Sequence, residues 1–204
     1  KLRCYGIAWL LLGFLSACTS YKTQLGSEAT SFYNNQSLDT TTIVYSVFLT
    51  GNAANTQNDG ATPSLTHFKK RLERASKNST ALFLGDNIFP LNGFNQNKTK
   101  AEEKITNQLN LTEKFKGKVF LIPGKSDWGS STSSLLAQEN FISKYKKKES
   151  QFIPQNACGI EFVSLSNEVE LVAINSQWFL EDWNEHTEIN KGCSIKTREQ
   201  FFDE

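Results

Sequence analysis

Polar side chains follow three short apolar runs of the sequence, directly after a glycine in each case. The three sets are Gly51-Asn52, Gly85-Asp86 and Gly124-Lys125-Ser126-Asp127. An apolar run that stops at such a turn predicts a buried strand that presents polar groups at its carboxyl end, where open α/β sheets bind their ligands. The sequence therefore predicts one site at which three strand ends meet, with the carboxylate of Asp86 at its centre.

The segments around these turns predict alternating strands and helices. Strands are predicted at 43–50, 80–84, 118–122, 160–165 and 170–174, and helices at 63–75, from 99 to about 114, in the region 135–145 and at 196–203. Thr62 before Pro63 marks one helix start, and Thr99 with Glu102 has the spacing of a capping box. Three βα units followed by an antiparallel hairpin predict an α/β fold with a mixed sheet flanked by helices.

Length and composition limit the range of functions. The chain has 204 residues, which suits one domain after a short leader, and 22 basic against 21 acidic residues give a net charge of +1. This balance gives no reason to expect a nucleic-acid partner. Because the sequence begins at Lys1 and contains no methionine, we interpret it as a fragment of a longer chain.

The first 17 residues have the pattern of an export signal. Lys1 and Arg3 form its basic end, and the apolar run 7–15 is too short to span a bilayer. The run ends at Leu15-Ser16-Ala17-Cys18, which resembles the lipobox of bacterial lipoproteins. We therefore expect a signal peptide at 1–17, lipidation of Cys18, a polar tether at 18–42 and a membrane-anchored location in the cell envelope. The alternative is that 1–17 is a buried helix of a truncated domain.

Two cysteines remain once Cys4 leaves with the leader and Cys18 is lipidated. In an oxidising envelope, Cys158 and Cys193 could form a disulfide that closes a loop of roughly 35 residues and stabilises the fold by on the order of 3 kcal/mol. Two free buried thiols are the alternative.

The three glycine turns also support a comparison with a known family. Residues 85–90, Gly-Asp-Asn-Ile-Phe-Pro, resemble the Gly-Asp-Asn-X-aromatic motif of calcineurin-like metallophosphoesterases. Residues 122–128 resemble the Pro-Gly-Asn-His-Asp-Trp motif of that family, and 49–52 are similar to its first motif, which is normally Gly-Asp. The spacings of 34 and 39 residues between Asn52, Asp86 and Lys125 agree with the family. The segment from Asn175 to Trp178 brings the resemblance closer to the envelope-anchored bacterial members of this family.

The resemblance covers 43–204 and implies the calcineurin-like metallophosphoesterase fold, here C-terminally incomplete. It also implies a pair of Mn, Fe or Zn ions that activates water against a phosphate ester. By this resemblance Asp86 matches the carboxylate that bridges the metals, and Asp127 matches the carboxylate that supports the catalytic His. Three positions depart from the motif: Asn52 replaces an Asp ligand, Lys125 replaces an Asn ligand and Ser126 replaces the His that protonates the leaving group.

These departures predict that metal-dependent hydrolysis is impaired or lost, because an ammonium has no lone pair and a hydroxyl is a poor acid near neutral pH. We expect Lys125 to pair with Asp86 in place of an ion, and the domain to bind a phosphate ester or an envelope protein. The alternative is an active phosphomonoesterase or phosphodiesterase whose remaining ligands lie beyond residue 204. His67 and His186 receive no role, and the spaced glycines of a dinucleotide loop are absent.

Overall fold

Three parallel strands form the central sheet. They are β1 (Ser46–Thr50), β2 (Ser79–Leu84) and β3 (Lys118–Ile122), in the order β1-β2-β3. Ser46 pairs with Ser79, and Thr80 pairs with Lys118. Because all strands run in one direction, their carboxyl ends lie along the same edge of the sheet. The predicted α/β class is therefore confirmed.

Helices follow the strands along the chain. They are α1 (Pro63–Arg74), α2 (Lys98–Leu111), α3 (Lys125–Trp128), α4 (Thr132–Lys146), α5 (Ser176–Leu180) and α6 (Arg198–Asp203), with 3₁₀ turns at Phe94–Gln96 and Gln155–Ala157. The start of α1 is as predicted, because Thr62 accepts a hydrogen bond from the Leu65 N–H and Pro63 occupies the first turn. The predicted start of α2 at Thr99 is wrong, since Asn97 caps this helix through the Lys100 N–H.

An antiparallel hairpin follows the three βα units. It consists of β4 (Ile160–Ser164) and β5 (Glu170–Ile174), and it forms a separate two-stranded sheet. The prediction that these strands extend one mixed sheet is therefore wrong. The outer edge of β3 instead meets the segment before β4, where the Leu121 N–H donates to Gln151 O at 2.7 Å and the Ile153 N–H donates to Leu121 O at 3.0 Å.

The two faces of the parallel sheet pack against different layers. One face contributes Phe83 and Leu121 to the larger core, which also contains buried residues of the helices such as Leu72 and Ile105. The other face forms a smaller cluster, in which Leu82 and Phe120 pack with Leu165, Ala173 and Ile153. The hairpin thus packs one face, with Ala173, Val163 and Leu171, on the sheet face opposite the helices and leaves Phe162, Val172 and Ile174 exposed. This stacking explains why it does not join the sheet edge.

The computed structural model describes residues 43–54, 62–129, 131–146, 151–182 and 188–203, and Ile43–Glu204 form one compact unit. The predicted signal peptide, Cys18 and its tether, and His186 lie outside the described residues.

Candidate functional site

The ends of β2 and β3 approach each other through two glycines. Gly85 has a φ of +87°, and a Cβ at this position would lie 2.8 Å from the Cα of Gly124. A Cβ on Gly124 would lie 2.7 Å from Oδ1 of Asp86 and even closer to its backbone nitrogen. Only glycine fits at these two positions without displacement of a strand end. We call the residues collected here, 51–52, 85–87 and 123–127, the carboxyl edge.

Asp86 lies at the centre of the carboxyl edge, as the sequence predicts. Its backbone has a φ of +54°, a conformation in which Asp is tolerated better than most residues. Its Oδ1 accepts two hydrogen bonds from one residue, at 3.0 Å from the Ser126 N–H and 2.7 Å from the Ser126 hydroxyl. The structure thus brings Asp86 and Ser126 into direct contact.

Asn52 reaches the same edge from β1. Its backbone N–H donates to Gly85 O at 3.3 Å, its φ is +49°, and the residue is exposed. The contact with the β2 turn is therefore made by the backbone, which leaves the carboxamide at the surface.

The predicted ion pair between Lys125 and Asp86 is wrong. Lys125 is the exposed first residue of α3, and the one ion pair among the described residues joins Lys98 and Glu102 at 3.8 Å. Ser126 supplies neutral donors to Asp86, so that no ammonium has to lose water to approach the carboxylate.

Asp127 is fully buried beneath the edge. Its Oδ2 accepts hydrogen bonds from the Gly124 N–H at 2.7 Å and from the backbone N–H and the side-chain Nδ2 of Asn87, both at 3.2 Å. The pKa of the carboxyl is raised to about 7: burial is the largest cause, the hydrogen bonds from Gly124 and Asn87 oppose the rise, and the charge of Asp86 adds to it. Among the described residues, its Oδ1 has no hydrogen-bond partner. These features describe a group that holds its proton close to neutral pH.

Two buried glutamines hold this layer in place, and the sequence analysis missed both of them. Gln108 donates to Asn87 O at 2.6 Å, and Gln138 donates to Asp127 O at 2.9 Å. The sequence carries a signal for them, because Gln108 lies three residues after Ile105 and Gln138 lies three residues after Leu135. A residue three positions after an apolar residue lies on the same helix face.

Asn175 connects the carboxyl edge to the chain beyond the hairpin. Its Oδ1 accepts from the Trp128 indole N–H at 3.0 Å, and its Nδ2 donates to Cys158 O at 3.3 Å. Cys158 is joined by a disulfide to Cys193, 35 residues later. The fully buried Asn175 thus links the segment after Asp127 to the covalent cross-link.

The donor groups at the carboxyl edge do not fit a pair of divalent metal ions. Lys125 offers an ammonium without a lone pair, Asn52 offers only a neutral amide, and one oxygen of Asp86 already accepts two hydrogen bonds. Within the described residues, no group of three or more His, Cys, Asp or Glu side chains is arranged to hold a metal ion.

Comparisons with protein-family models, with curated proteins and with solved structures found no match for this chain. In the part of the chain that the structure describes, no helix combines the length and apolar composition needed to cross a bilayer.

The glycine contact predicts the effect of adding one methyl group. We expect Gly124→Ala to lower the free energy of unfolding by about 2–3 kcal/mol, because its Cβ would force the strand ends apart. Gly51→Ala is the matched control, since its Cβ would meet only Leu84 Cβ, at an ordinary 3.9 Å. Urea denaturation of both variants measures the difference, and equal losses would contradict the account of this contact.

Proposed function

We propose that 43–204 are a calcineurin-like metallophosphoesterase domain of a bacterial envelope lipoprotein that has lost metal-dependent hydrolysis and acts as a binding module. The resemblance of the three motifs supports this proposal, together with the position of all three motifs at neighbouring strand ends. The binding partner in this proposal is a phosphate ester or an envelope protein that contacts the carboxyl edge.

The hydrogen bonds between Ser126 and Asp86 carry the proposal. In the family pattern, a His occupies the position of Ser126 and the carboxylate at the position of Asp86 bridges two metals. Here Ser126 donates its N–H and its hydroxyl to one oxygen of Asp86. These two hydrogen bonds stabilise the carboxylate, and a cation that binds the same oxygen would have to displace the Ser126 donors or compete with them.

Electrostatics favour the same conclusion. Relative to the family pattern, Asn52 removes one negative charge and Lys125 adds one positive charge, so the edge is less favourable to cations by two charge units. One unit charge about 4 Å from another corresponds to about 4 kcal/mol at an effective dielectric of about 20. Exposure of Lys125 reduces this value but does not change its sign.

The test combines metal uptake with phosphatase assays. We expect the native chain to bind no manganese, zinc or iron at micromolar concentration, and to hydrolyse p-nitrophenyl phosphate and its bis-ester no faster than the Asp86→Ala variant. The combined variant Asn52→Asp, Lys125→Asn, Ser126→His restores two metal ligands and the proton donor of the family pattern, and should bind manganese more tightly than the native chain. Native activity clearly above that of Asp86→Ala would contradict the proposal.

An active two-metal hydrolase is the second candidate. One observation favours it, namely that Asp86 and Asp127 are both held at adjacent strand ends, with Asp127 buried and fixed by three hydrogen bonds to Oδ2. This candidate needs further metal ligands from outside the described residues. Metal-dependent turnover that is lost in Asp86→Ala would favour it over the silent module.

A further inference from the structure

Exposed basic residues line the edge of the sheet opposite the candidate site, which we call the amino edge. Helix α1 ends at Arg74, Lys77 lies in the loop before β2, and Lys114 and Lys116 lie in the loop before β3. All four are exposed. The two loops are in contact, because a Cβ on Gly117 would overlap the carbonyl oxygen of Ser79.

The amino edge carries a local excess of positive charge. Segments 71–77 and 113–118 contain six basic and two acidic residues, a formal charge of +4, whereas the whole chain carries +1. Within the described residues, none of these basic groups is in an ion pair. Of these six basic residues, Lys118 donates hydrogen bonds from its ammonium to the carbonyls of Ser164 and Leu165.

Two aliphatic side chains are exposed at the same edge. Ile43 and Val44 lie just before Tyr45 and β1, and each is 66% exposed. The start of β1 lies beside the loop that contains Lys77, because the Ser46 N–H donates to Asn78 O at 3.1 Å. Exposed aliphatic groups beside cations are the combination that binds the interface of an anionic bilayer.

We propose that the amino edge docks on an anionic lipid bilayer. The basic side chains pair with the lipid headgroups, and Ile43 with Val44 inserts at the boundary of the acyl chains. A nucleic acid fits this surface less well, because single strands are bound by stacking on aromatic side chains. The aromatic residues of this region contact the protein itself. Phe115 packs edge-on against Phe48 at 6.3 Å, and the Tyr45 hydroxyl is hydrogen-bonded to the Thr80 hydroxyl at 2.7 Å.

Docking at the amino edge would orient the candidate site. The strands run from the amino edge to the carboxyl edge, and a five-residue strand spans roughly 17 Å. The carboxyl edge with Asp86 would therefore face away from the lipid and remain open to a partner. In the sequence, Ile43 follows Cys18 by 25 residues. The proposal does not depend on lipidation of Cys18 or on the function of the carboxyl edge.

The test measures vesicle binding of the full chain carrying Cys18→Ser, so that no acyl chain contributes. Vesicles of phosphatidylcholine alone are compared with vesicles that contain about 30% phosphatidylglycerol. We expect Lys77→Glu with Lys116→Glu to weaken binding to the anionic vesicles at least tenfold. The matched control is Lys100→Glu with Lys191→Glu, which makes the same charge change at exposed positions away from the edge and should bind like the parent. All variants share the apolar run 7–15, so its contribution cancels.

Two further measurements locate the contact. Hydrogen exchange in the presence of anionic vesicles should show protection at 43–46, 74–78 and 114–118. The double variant Ile43→Ser with Val44→Ser should weaken the part of the vesicle binding that persists at high salt. Equal binding by the edge and control variants would overturn the proposal. A second result would also overturn the proposal: Lys77→Glu with Lys116→Glu abolishes tight binding of a DNA duplex but leaves vesicle binding unchanged. The amino edge would then bind a nucleic acid.

Discussion

Raising the pH from about 4 to about 8 is expected to lower the free energy of unfolding by roughly 4 kcal/mol through Asp127 alone. Burial raises the pKa of Asp127 from 3.8 to about 7 in the folded protein. Between these values the unfolded chain has lost the proton and the folded protein keeps it. The folded state therefore binds more protons, and its stability falls as the pH rises through this window and levels off above about 7.

The groups around Asp127 show why deprotonation is costly. Burial is the largest cause of the raised pKa of Asp127, Gly124 and Asn87 donate hydrogen bonds that lower it, and the electrostatic effect of Asp86 at the end of β2 raises it. From α4, Gln138 contributes only a neutral amide, which donates to the backbone carbonyl of Asp127. The described hydrogen bonds to the carboxyl thus come from neutral groups. No Lys or Arg side chain is buried in the part of the chain that the structure describes, so none there compensates the charge that forms above the pKa.

Asp127→Asn isolates this effect, because its amide mimics the protonated acid. Urea denaturation across the pH range should show that the native protein loses stability relative to Asp127→Asn between pH values of about 4 and 7. Asp203→Asn, at an exposed position in α6, is the control and should follow the native curve. Parallel curves for the native protein and Asp127→Asn would show that Asp127 does not hold its proton.

Removal of the disulfide is expected to lower the free energy of unfolding by about 3–4 kcal/mol. The bond joins Cys158 to Cys193 across a sequence separation of 35, and its loss would release that constraint on the unfolded chain. The segment it holds contributes Ile189 and Ile195 to the larger core. The loss is a large fraction of the 5–15 kcal/mol that is typical of folded proteins.

The paired variant Cys158→Ser with Cys193→Ser gives the measurement. Denaturation of this variant should resemble that of the native protein in the presence of a dithiol reductant, and the reductant should have no further effect on the variant. If the reductant shifts the native curve by much less than the paired variant does, the substitutions act through local packing and the cross-link is not the cause.

The sequence predicts the central sheet closely because its strands are unbroken apolar runs. β3 occupies 118–122, as expected, and β2 begins one residue earlier than expected, at Ser79. The predicted start of β1 at 43 is wrong, because this strand begins at Ser46. The glycine turns after the strands also predict the carboxyl edge, since parallel strands have to end together. The predicted start of α2 is wrong because Asn97 and Thr99 are both good capping residues and only the path of the loop selects Asn97.

Two other features could not be read from the sequence for physical reasons. A hairpin with one apolar face can extend a sheet or stack on it, and the pattern of Ile160 to Ile174 is the same in both cases. The sequence also does not distinguish the partner of Asp86, because Lys125 and Ser126 are adjacent and both can donate. The geometry of the tight turn at Gly124 decides in favour of Ser126, whose backbone N–H and hydroxyl both reach Oδ1.

Anomalous diffraction from crystals soaked in manganese tests the central claim most directly. The account predicts no anomalous density within coordination distance of the Asp86 carboxylate, with Ser126 still donating its two hydrogen bonds to Oδ1. A well-occupied pair of ions at Asp86, with the Ser126 hydrogen bonds displaced, would contradict the claim that this edge has lost its metal centre.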